Sequence, residues 1–309
     1  MNKKIYNQLN SVLRFVKTTR IKPFPGWPEI SIWQNEKYSK SISWPKLSII
    51  TPSYNQASYL EQTILSVINQ GYPNLEYIII DGGSSDESVE IIEKYEKHLH
   101  YWETNNDLGQ SHAINKGMSH ATGEWVAWIN SDDYYLPNAF RKIMQYEIKH
   151  SDVNWIVGNT IAMENMFRSL STIIRFKPRT KKETWSYPKF QLGTWLDFVC
   201  NRWASSFLPQ PSSFWRRKVW QGAGGLDNDF HFIMDLEFHG RLAYYGYRPE
   251  LLGEDLAIFR RHNDQKTKNF KQRTIEEIQV IDKWLSCSLI PEEKSVLSQY
   301  KDWIMDNPL

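Results

Sequence analysis

The sequence predicts an α/β fold with a mostly parallel central sheet flanked by helices, and a helical segment at its C-terminus. Three observations carry that expectation. Short apolar runs alternate with amphipathic stretches from Leu47 to about His150, the order that builds βα units. The runs end abruptly in polar loops. Three such loops are acidic: Ile80-Asp81-Gly82-Gly83-Ser84-Ser85-Asp86, Asn106-Asp107-Leu108-Gly109, and Trp128-Ile129-Asn130-Ser131-Asp132-Asp133. Ligands in open α/β sheets bind outside the carboxyl ends of the strands, so these acids should share one rim.

The elements follow in order. Leu47 to Thr51 reads as a buried strand, ended by Pro52-Ser53-Tyr54-Asn55. Ser58-Tyr59-Leu60-Glu61 reads as a capping box, and Leu60, Ile64, Leu65, Val67 and Ile68 form a helical stripe. Gly71 and Pro73 stop that helix. Leu75 to Ile80 is the next strand, Ser88 to Tyr95 a helix, and His100-Tyr101-Trp102 a short strand. Ser111 to Ser119 is a helix closed before Gly123. Trp125 to Ile129 is a strand, and Pro137 suits the first turn of a helix running to about His150.

Beyond His150 the pattern loosens. Trp155 to Gly158 and Ile173 to Phe176 read as strands, and Lys177 to Ser205 has no clear period. Leu208 to Trp215 is a loop entering a strand. Phe232 to Tyr245, Thr274 to Leu285 and Glu292 to Ile304 are helices. Residues 1–45 form an N-terminal extension. Ile5 to Val16 suits a basic amphipathic helix before Pro23, Pro25 and Pro28, either on a membrane surface or, the favoured reading, on the domain's own flank.

Composition narrows the function classes. A chain of 309 residues with 41% hydrophobic and 23% charged residues is an ordinary soluble globular protein. A net charge of +2 argues against nucleic acid as partner. Cys200 and Cys287 are the only cysteines, so a disulfide framework is not expected and a reducing compartment fits. No apolar run is long enough for a bilayer, and residues 1–22 lack the apolar core of a secretory signal. A cytoplasmic location follows as expectation. The chain holds 14 tryptophans, among them Trp27, Trp33, Trp44, Trp185, Trp195, Trp203, Trp215 and Trp220. Aromatic rings suit sugar faces, but filling a core is the more frequent use.

Two adjacent carboxylates at the end of an apolar strand are costly unless compensated. A divalent cation with oxygen ligands is the usual compensator. There is no Walker loop and no G-x-G-x-x-G after the first strand, which disfavours P-loop and dehydrogenase chemistry. His112, His120 and His239 form no zinc-like pattern with cysteine.

The ordered set Thr51-Pro52-Ser53-Tyr54-Asn55, Ile80 to Asp86, Asp107-Leu108-Gly109-Gln110 with Asn115-Lys116-Gly117, and Asn130-Ser131-Asp132-Asp133 resembles inverting glycosyltransferases of family 2, of the type making bacterial surface polysaccharides. Weaker similarity continues through Pro209-Gln210-Pro211-Ser212-Ser213, Gly224-Gly225-Leu226-Asp227, Met234-Asp235-Leu236-Glu237 and Arg260-Arg261-His262. The resemblance implies a Rossmann-like GT-A fold, with residues 46–145 as the nucleotide-sugar-binding half, 146–265 as the acceptor-binding half, and 266–309 as C-terminal helices.

It also implies roles. Pro52, Tyr54, Asn55, Asp81, Asp107, Lys116 and Asp132 would bind the nucleotide sugar, Pro52 and Tyr54 flanking the base. Asp81 also has a plainer reading as a turn acid, and Lys116 as a solvated helix lysine. Asp133 would contact Mn²⁺ or Mg²⁺, and His262 is a further metal candidate. Asp235 would be the general base, with Glu237 as runner-up, although Met234 stands where many members have Glu. Arg216, Arg217, Arg260 and Arg261 are candidates to grip a phosphate, with a solvated charged face the preferred reading for at least two of them.

The implied reaction moves a sugar from a nucleoside diphosphate donor, expected to be a UDP-sugar, to a hydroxyl of a glycan or lipid-linked acceptor. Peripheral association with the inner face of a membrane accompanies that reading. The alternatives are a nucleotidyltransferase and a non-catalytic sugar- or nucleotide-binding module.

Overall fold

A computed structural model of the chain describes residues 37–164, 173–176, 208–262, 265–266, 269–287, 289 and 291–306. The amphipathic stretch Ile5 to Val16, the region Lys177 to Ser205 and Trp27, Trp33, Trp185, Trp195 and Trp203 lie outside these residues.

The first half is built from β1 (Leu47–Ser53), α1 (Ala57–Ile68), β2 (Leu75–Asp81), α2 (Ser88–Tyr95), β3 (Tyr101–Thr104), α3 (Gln110–His120), β4 (Trp125–Trp128), the short β5 (Tyr134–Tyr135) and α4 (Ala139–Lys149). Then come β6 (Trp155–Glu164), β7 (Ile173–Phe176), β8 (Ser213–Arg216), α5 (Arg217–Ala223), α6 (Met234–Tyr244), β9 (Glu250–Arg261), α7 (Phe270–Leu285) and α8 (Pro291–Asp306).

Among the described residues these strands make a nine-stranded sheet of order β3-β2-β1-β4-β8-β6-β9-β5, with β7 on β6. The β3-β2-β1-β4 half is parallel throughout. β8 runs antiparallel to β4 and β6, whereas β6 and β9 are parallel. The order reverses between β1 and β4. Such a switch point opens a crevice at the strands' carboxyl ends. The register Ser53↔Asp81↔Thr104 brings three of those ends level.

Both faces of the sheet are covered, which is why β1, β2 and β4 are mostly apolar and buried at nearly every position. One layer packs Leu60, Ile64, Phe140 and Ile143 of α1 and α4 beneath Ile49 and Ile79. The other packs Trp128, Trp215, Trp220 and Phe238, and draws in Val280, Ile281 and Trp284 of α7 and Leu297 and Ile304 of α8. The C-terminal helices are therefore built into the domain core. Trp128 and Trp215 stack with ring centroids 4.9 Å apart. Trp44 packs edge-on to Tyr38 and Tyr72, tying residues 37–45 to the domain flank. The tryptophans of this region fill the core, the more frequent use of so large a ring.

Two expected features differ. The capping box over Ser58 to Glu61 does not form, because α1 starts earlier, at Ala57. The N–H groups at its start go instead to the first acidic loop and to the first residue of α2: Ala57 N donates to Asp86 Oδ2 at 2.9 Å and Gln56 N to Ser88 Oγ at 3.0 Å. The other is β9, which sequence periodicity missed. Gly253-Glu254-Asp255 interrupts its apolar pattern, and the register against β6 slips between Val157, Asn159 and Thr160. Gly158 permits that slip, since a Cβ there would lie 2.2 Å from Leu256 Cδ1.

Candidate active site

The loop after β1 and the loop after β2 are cross-linked by Asn55. Its N–H donates to Ser84 Oγ, and its Oδ1 accepts from Ser85 N at 2.8 Å. Asn55 holds φ at +52°, a left-handed conformation that asparagine tolerates better than most residues. Pro52 is buried, whereas Tyr54 beside it is 62% exposed and stands at the mouth of the crevice.

Asp81 is fully buried at the end of β2. Its Oδ2 accepts from Gly83 N, Ser84 N and Thr104 Oγ1, and its Oδ1 accepts from Ser84 Oγ at 2.6 Å. A carboxylate offers about four acceptor sites, so Asp81 is largely spent on folding its own turn and joining it to β3. Asp107 accepts from Gly109 N at 2.7 Å. Gly82 lies flat against it, because a Cβ there would come within 3.0 Å of Asp107 Oδ2. Lys116 pairs with Glu103 on β3, which also accepts from Tyr101. Asn115 braces the Gly224-Gly225 turn by bonding both the N–H and the carbonyl of Leu226.

The fourth loop hangs between α1, α3 and β9. Gln110 Nε2 donates to Asn130 Oδ1 at 2.8 Å. The Thr63 hydroxyl lies 2.8 Å from Ser131 O and 2.6 Å from Asp133 O. Here the two acids part. Asp133 is 0% exposed, and its Oδ1 accepts from the backbone N–H of Arg260 at 3.0 Å. Its Oδ2 is sealed without a hydrogen-bond partner among the described residues. Burial, and then the charge of Asp132, push the Asp133 carboxyl well above the usual carboxylate range. Asp132 faces the other way. Its side chain is 20% exposed, and its Oδ2 lies 3.1 Å from Nε2 of His262.

The division follows from β5. Tyr134 and Tyr135 pair with Ile258 and Ala257 of β9, so the residue entering β5 is drawn inward beside Arg260. His262, just past β9, is left level with Asp132. Tyr59 of α1 packs against the imidazole with centroids 4.4 Å apart and the rings tilted by 34°, and the Arg260 guanidinium sits between the Tyr59 and Tyr134 rings. Sequence reading missed Tyr59. Its only signal is an aromatic in the first turn of the helix after the first loop.

α6 starts beside this rim. Ser111 Oγ donates to Phe230 O at 2.7 Å, and a Cβ on Gly109 would lie 3.1 Å from His231 Nδ1. Asp235 is half-buried in the first turn of α6. Glu237 is fully buried on another face, where Arg241 holds both its oxygens and Lys283 reaches Oε1 at 3.0 Å. Those partners leave the runner-up base without a free oxygen.

Arg216 and Arg217 are corrected by their placement. Arg216 pairs with Trp125, the first residue of β4, and binds Glu124 and Glu147 there. Arg217 donates to Gly123 O. Both lie at the opposite end of the sheet from the acidic loops, so neither can grip a phosphate at the rim.

Among the described residues, no three His, Cys, Asp or Glu side chains are gathered to hold a metal. The pair Asp132 and His262 still fits one. Mg²⁺ takes one or two carboxylates and fills its remaining positions with substrate phosphates and water, and imidazole suits Mn²⁺.

Residues 48–200 match the family described as Glycosyl transferase family 2. The chain belongs to this family. Relatives include TuaG of Bacillus subtilis, described as a putative teichuronic acid biosynthesis glycosyltransferase, 38% identical over 112 residues that cover 35% of this chain and 44% of that protein. An uncharacterized glycosyltransferase of Haemophilus influenzae is 36% identical over 112 residues, 35% of this chain and 45% of that protein. The matched stretch thus spans less than half the length of either relative.

The fold is shared with TarS residues 1–349 of S. aureus, solved with UDP-GlcNAc, at a TM-score of 0.58 and 18% identity over 85% of this chain and 73% of that chain. It is also shared with the mannosyltransferase PcManGT of Pyrobaculum calidifontis, solved with GDP-Man and Mn²⁺, at 0.60 and 15% identity over 98% of this chain and 79% of that chain. The family 2 chain described here accordingly has the GT-A architecture.

Proposed function

We propose that this chain transfers a sugar, with inversion, from a nucleoside diphosphate donor to a hydroxyl of a glycan or lipid-linked acceptor, and that a divalent cation assists. The observation that carries this reading is the Asp132–His262 pair at the switch point between β1 and β4, beside the start of α6. Nucleotide sugars bound by the neighbouring folds, one with Mn²⁺, support it.

In this reading Tyr54 and Pro52 flank the base, and Asn55 keeps the two loops around it in register. Asp81 acts mainly through the turn it folds; contact with a base N–H requires the Ser84 hydroxyl to rotate off Oδ1. Asp107 holds the neighbouring loop, and Lys116 braces α3 against β3 through its pair with Glu103. Asp132 and His262 would hold the cation, whose chemistry there would be to neutralise charge on the departing diphosphate. Asp133 is then the buried acid that fixes the loop to β9, a reversal of the roles expected from sequence.

Asp235 accepts the acceptor's hydroxyl proton as that oxygen bonds to the anomeric carbon. The carbon–oxygen bond to the diphosphate breaks, and its electron pair leaves with the nucleotide. TuaG's name for teichuronic acid biosynthesis supports a surface glycan as the acceptor class. No helix among the described residues is long and apolar enough to cross a membrane. The aromatic density that suggested a sugar-binding module is explained by core packing where the residues are described.

A screen of UDP-, GDP- and TDP-sugars for nucleotide release, with Mn²⁺ and an acceptor mixture, tests the reading. One donor class should be turned over, and Asp235→Asn should abolish transfer while leaving UDP binding intact. Full transfer by Asp235→Asn would remove the base assignment. Release of pyrophosphate from a nucleoside triphosphate would overturn the reaction class.

A further inference from the structure

The segment that leads into α6 is fixed by an acid from a distant helix. Glu276 of α7 is only 2% exposed. Its carboxylate accepts from three consecutive backbone groups: His231 N at 3.0 Å to both oxygens, Phe232 N at 2.7 Å and Ile233 N at 3.3 Å to Oε2. A buried carboxylate demands such compensation. The start of a helix supplies it, through unpaired N–H groups and the positive end of the dipole. Ile233, the residue before α6, offers no side-chain cap of its own.

A second fixed point lies two turns further along α7. Lys283 binds Glu237 Oε1 at 3.0 Å and Asp227 Oδ2 at 2.6 Å. Residues 276 and 283 share one helical face, so α7 grips both the entry of α6 and its first turn. On the other side the same segment rests on the second acidic loop, through Gly109 and His231, and on the start of α3, through Ser111 and Phe230. Asp235 follows two residues after the three N–H groups that Glu276 holds.

We propose that Glu276 is a positioning residue: through the backbone of 231–233 it sets where the Asp235 carboxylate meets the acceptor. The proposal rests on Asp235 being the base. Glu276 does not touch donor or acceptor, and it lies outside the matched family stretch of 48–200. The C-terminal helices thereby act in turnover as well as in folding.

The test compares Glu276→Gln, Glu276→Ala and Asp235→Asn in the full chain, with the donor that the nucleotide-release screen selects. UDP with Mn²⁺ is the calorimetric probe, and hydrogen exchange reports the 231–233 amides. Glu276→Ala is expected to lower kcat on the order of 100-fold, the cost of a misplacement of about 1 Å, with UDP affinity unchanged and exchange at 231–233 accelerated. Glu276→Gln keeps one acceptor oxygen and should recover part of the loss. The Glu276→Ala, Asp235→Asn double variant should be no slower than Asp235→Asn alone.

Wild-type kcat in folded Glu276→Ala, with Asp235→Asn inactive, overturns the positioning role and leaves the base assignment standing. Wild-type transfer by Asp235→Asn removes the base and with it the premise. Equal losses of UDP binding and kcat, or failure of both Glu276 variants to fold, make Glu276 a fold residue and also overturn the proposal.

Discussion

Asp132 and His262, separated by 130 positions in the chain, meet with Oδ2 and Nε2 3.1 Å apart. Neither is positioned alone: Thr63 lies against the loop carrying Asp132, and the tilted Tyr59 ring packs against the imidazole. Removing the imidazole should weaken a cation held by this pair while leaving the nucleotide loops in place. His262→Ala is expected to raise the Mn²⁺ concentration for half-maximal transfer on the order of tenfold, about 1.4 kcal/mol of binding. A Mn²⁺ titration of activity checks it, and an unchanged midpoint would exclude His262 as a ligand.

Asp133 should behave as a structural acid. Asp133→Ala leaves the Arg260 N–H buried without an acceptor, which costs about 1–3 kcal/mol. Denaturant melts should show that loss, with Asp133→Asn closer to wild type because an amide oxygen can still accept. A fully stable Asp133→Ala that has lost only Mn²⁺ dependence would restore the metal role to Asp133.

His239 links stability to pH. It is packed among Trp155, Trp215 and Phe238, and burial pulls its pKa from 6.5 down to about 3. The unfolded chain takes up this proton below pH 6.5, whereas the folded chain does not until about pH 3. Stability is therefore intact above 6.5 and falls between 6.5 and 3, by up to about 1.4 kcal/mol per pH unit. His239→Leu should flatten the melting temperature between pH 6.5 and 5. An equally steep decline in that variant would assign the slope to other groups.

Glu76 governs a lower range. It lies at the start of β2, where Lys46, Ser48 and Thr122 converge on its carboxylate. Burial opposes the charge, but these hydrogen bonds outweigh it and hold the pKa at about 2, against an ordinary 4.5. Its contribution is present above pH 4.5 and is lost as pH falls from 4.5 toward 2. Glu76→Gln should cost about 1–3 kcal/mol at pH 7 and remove that part of the acid transition. Equal stability of the two proteins at pH 7 would contradict it.

Sequence reading succeeded where the physical signal is local. β1, β2, β4 and their helices emerge from Leu47 to His150 because each strand is dominated by apolar residues and each helix carries one stripe. The sharing of a rim by the acidic loops follows from strand polarity alone, and the structure joins them through Asn55, Thr104 and Gln110. Which of two adjacent acids faces the crevice is not a local property. It depends on the pairing of two-residue β5 with β9, a strand whose own pattern is broken at Gly253. Arg216 and Arg217 misled for the same reason: a basic pair after a strand looks alike at either end of a sheet. Glu276 gave no local signal, because its partners are backbone groups 43 to 45 positions away.

Calorimetric titration of UDP into the wild type and Asp132→Asn, each with Mn²⁺ and with a chelator, tests the central assignment most directly. For the wild type, Mn²⁺ should tighten UDP binding on the order of tenfold or more, about 1.4 kcal/mol. Asp132→Asn should fold normally and bind UDP with nearly the same weaker affinity in both conditions. Full Mn²⁺ enhancement in Asp132→Asn would show that the cation is held elsewhere and contradict the site described here.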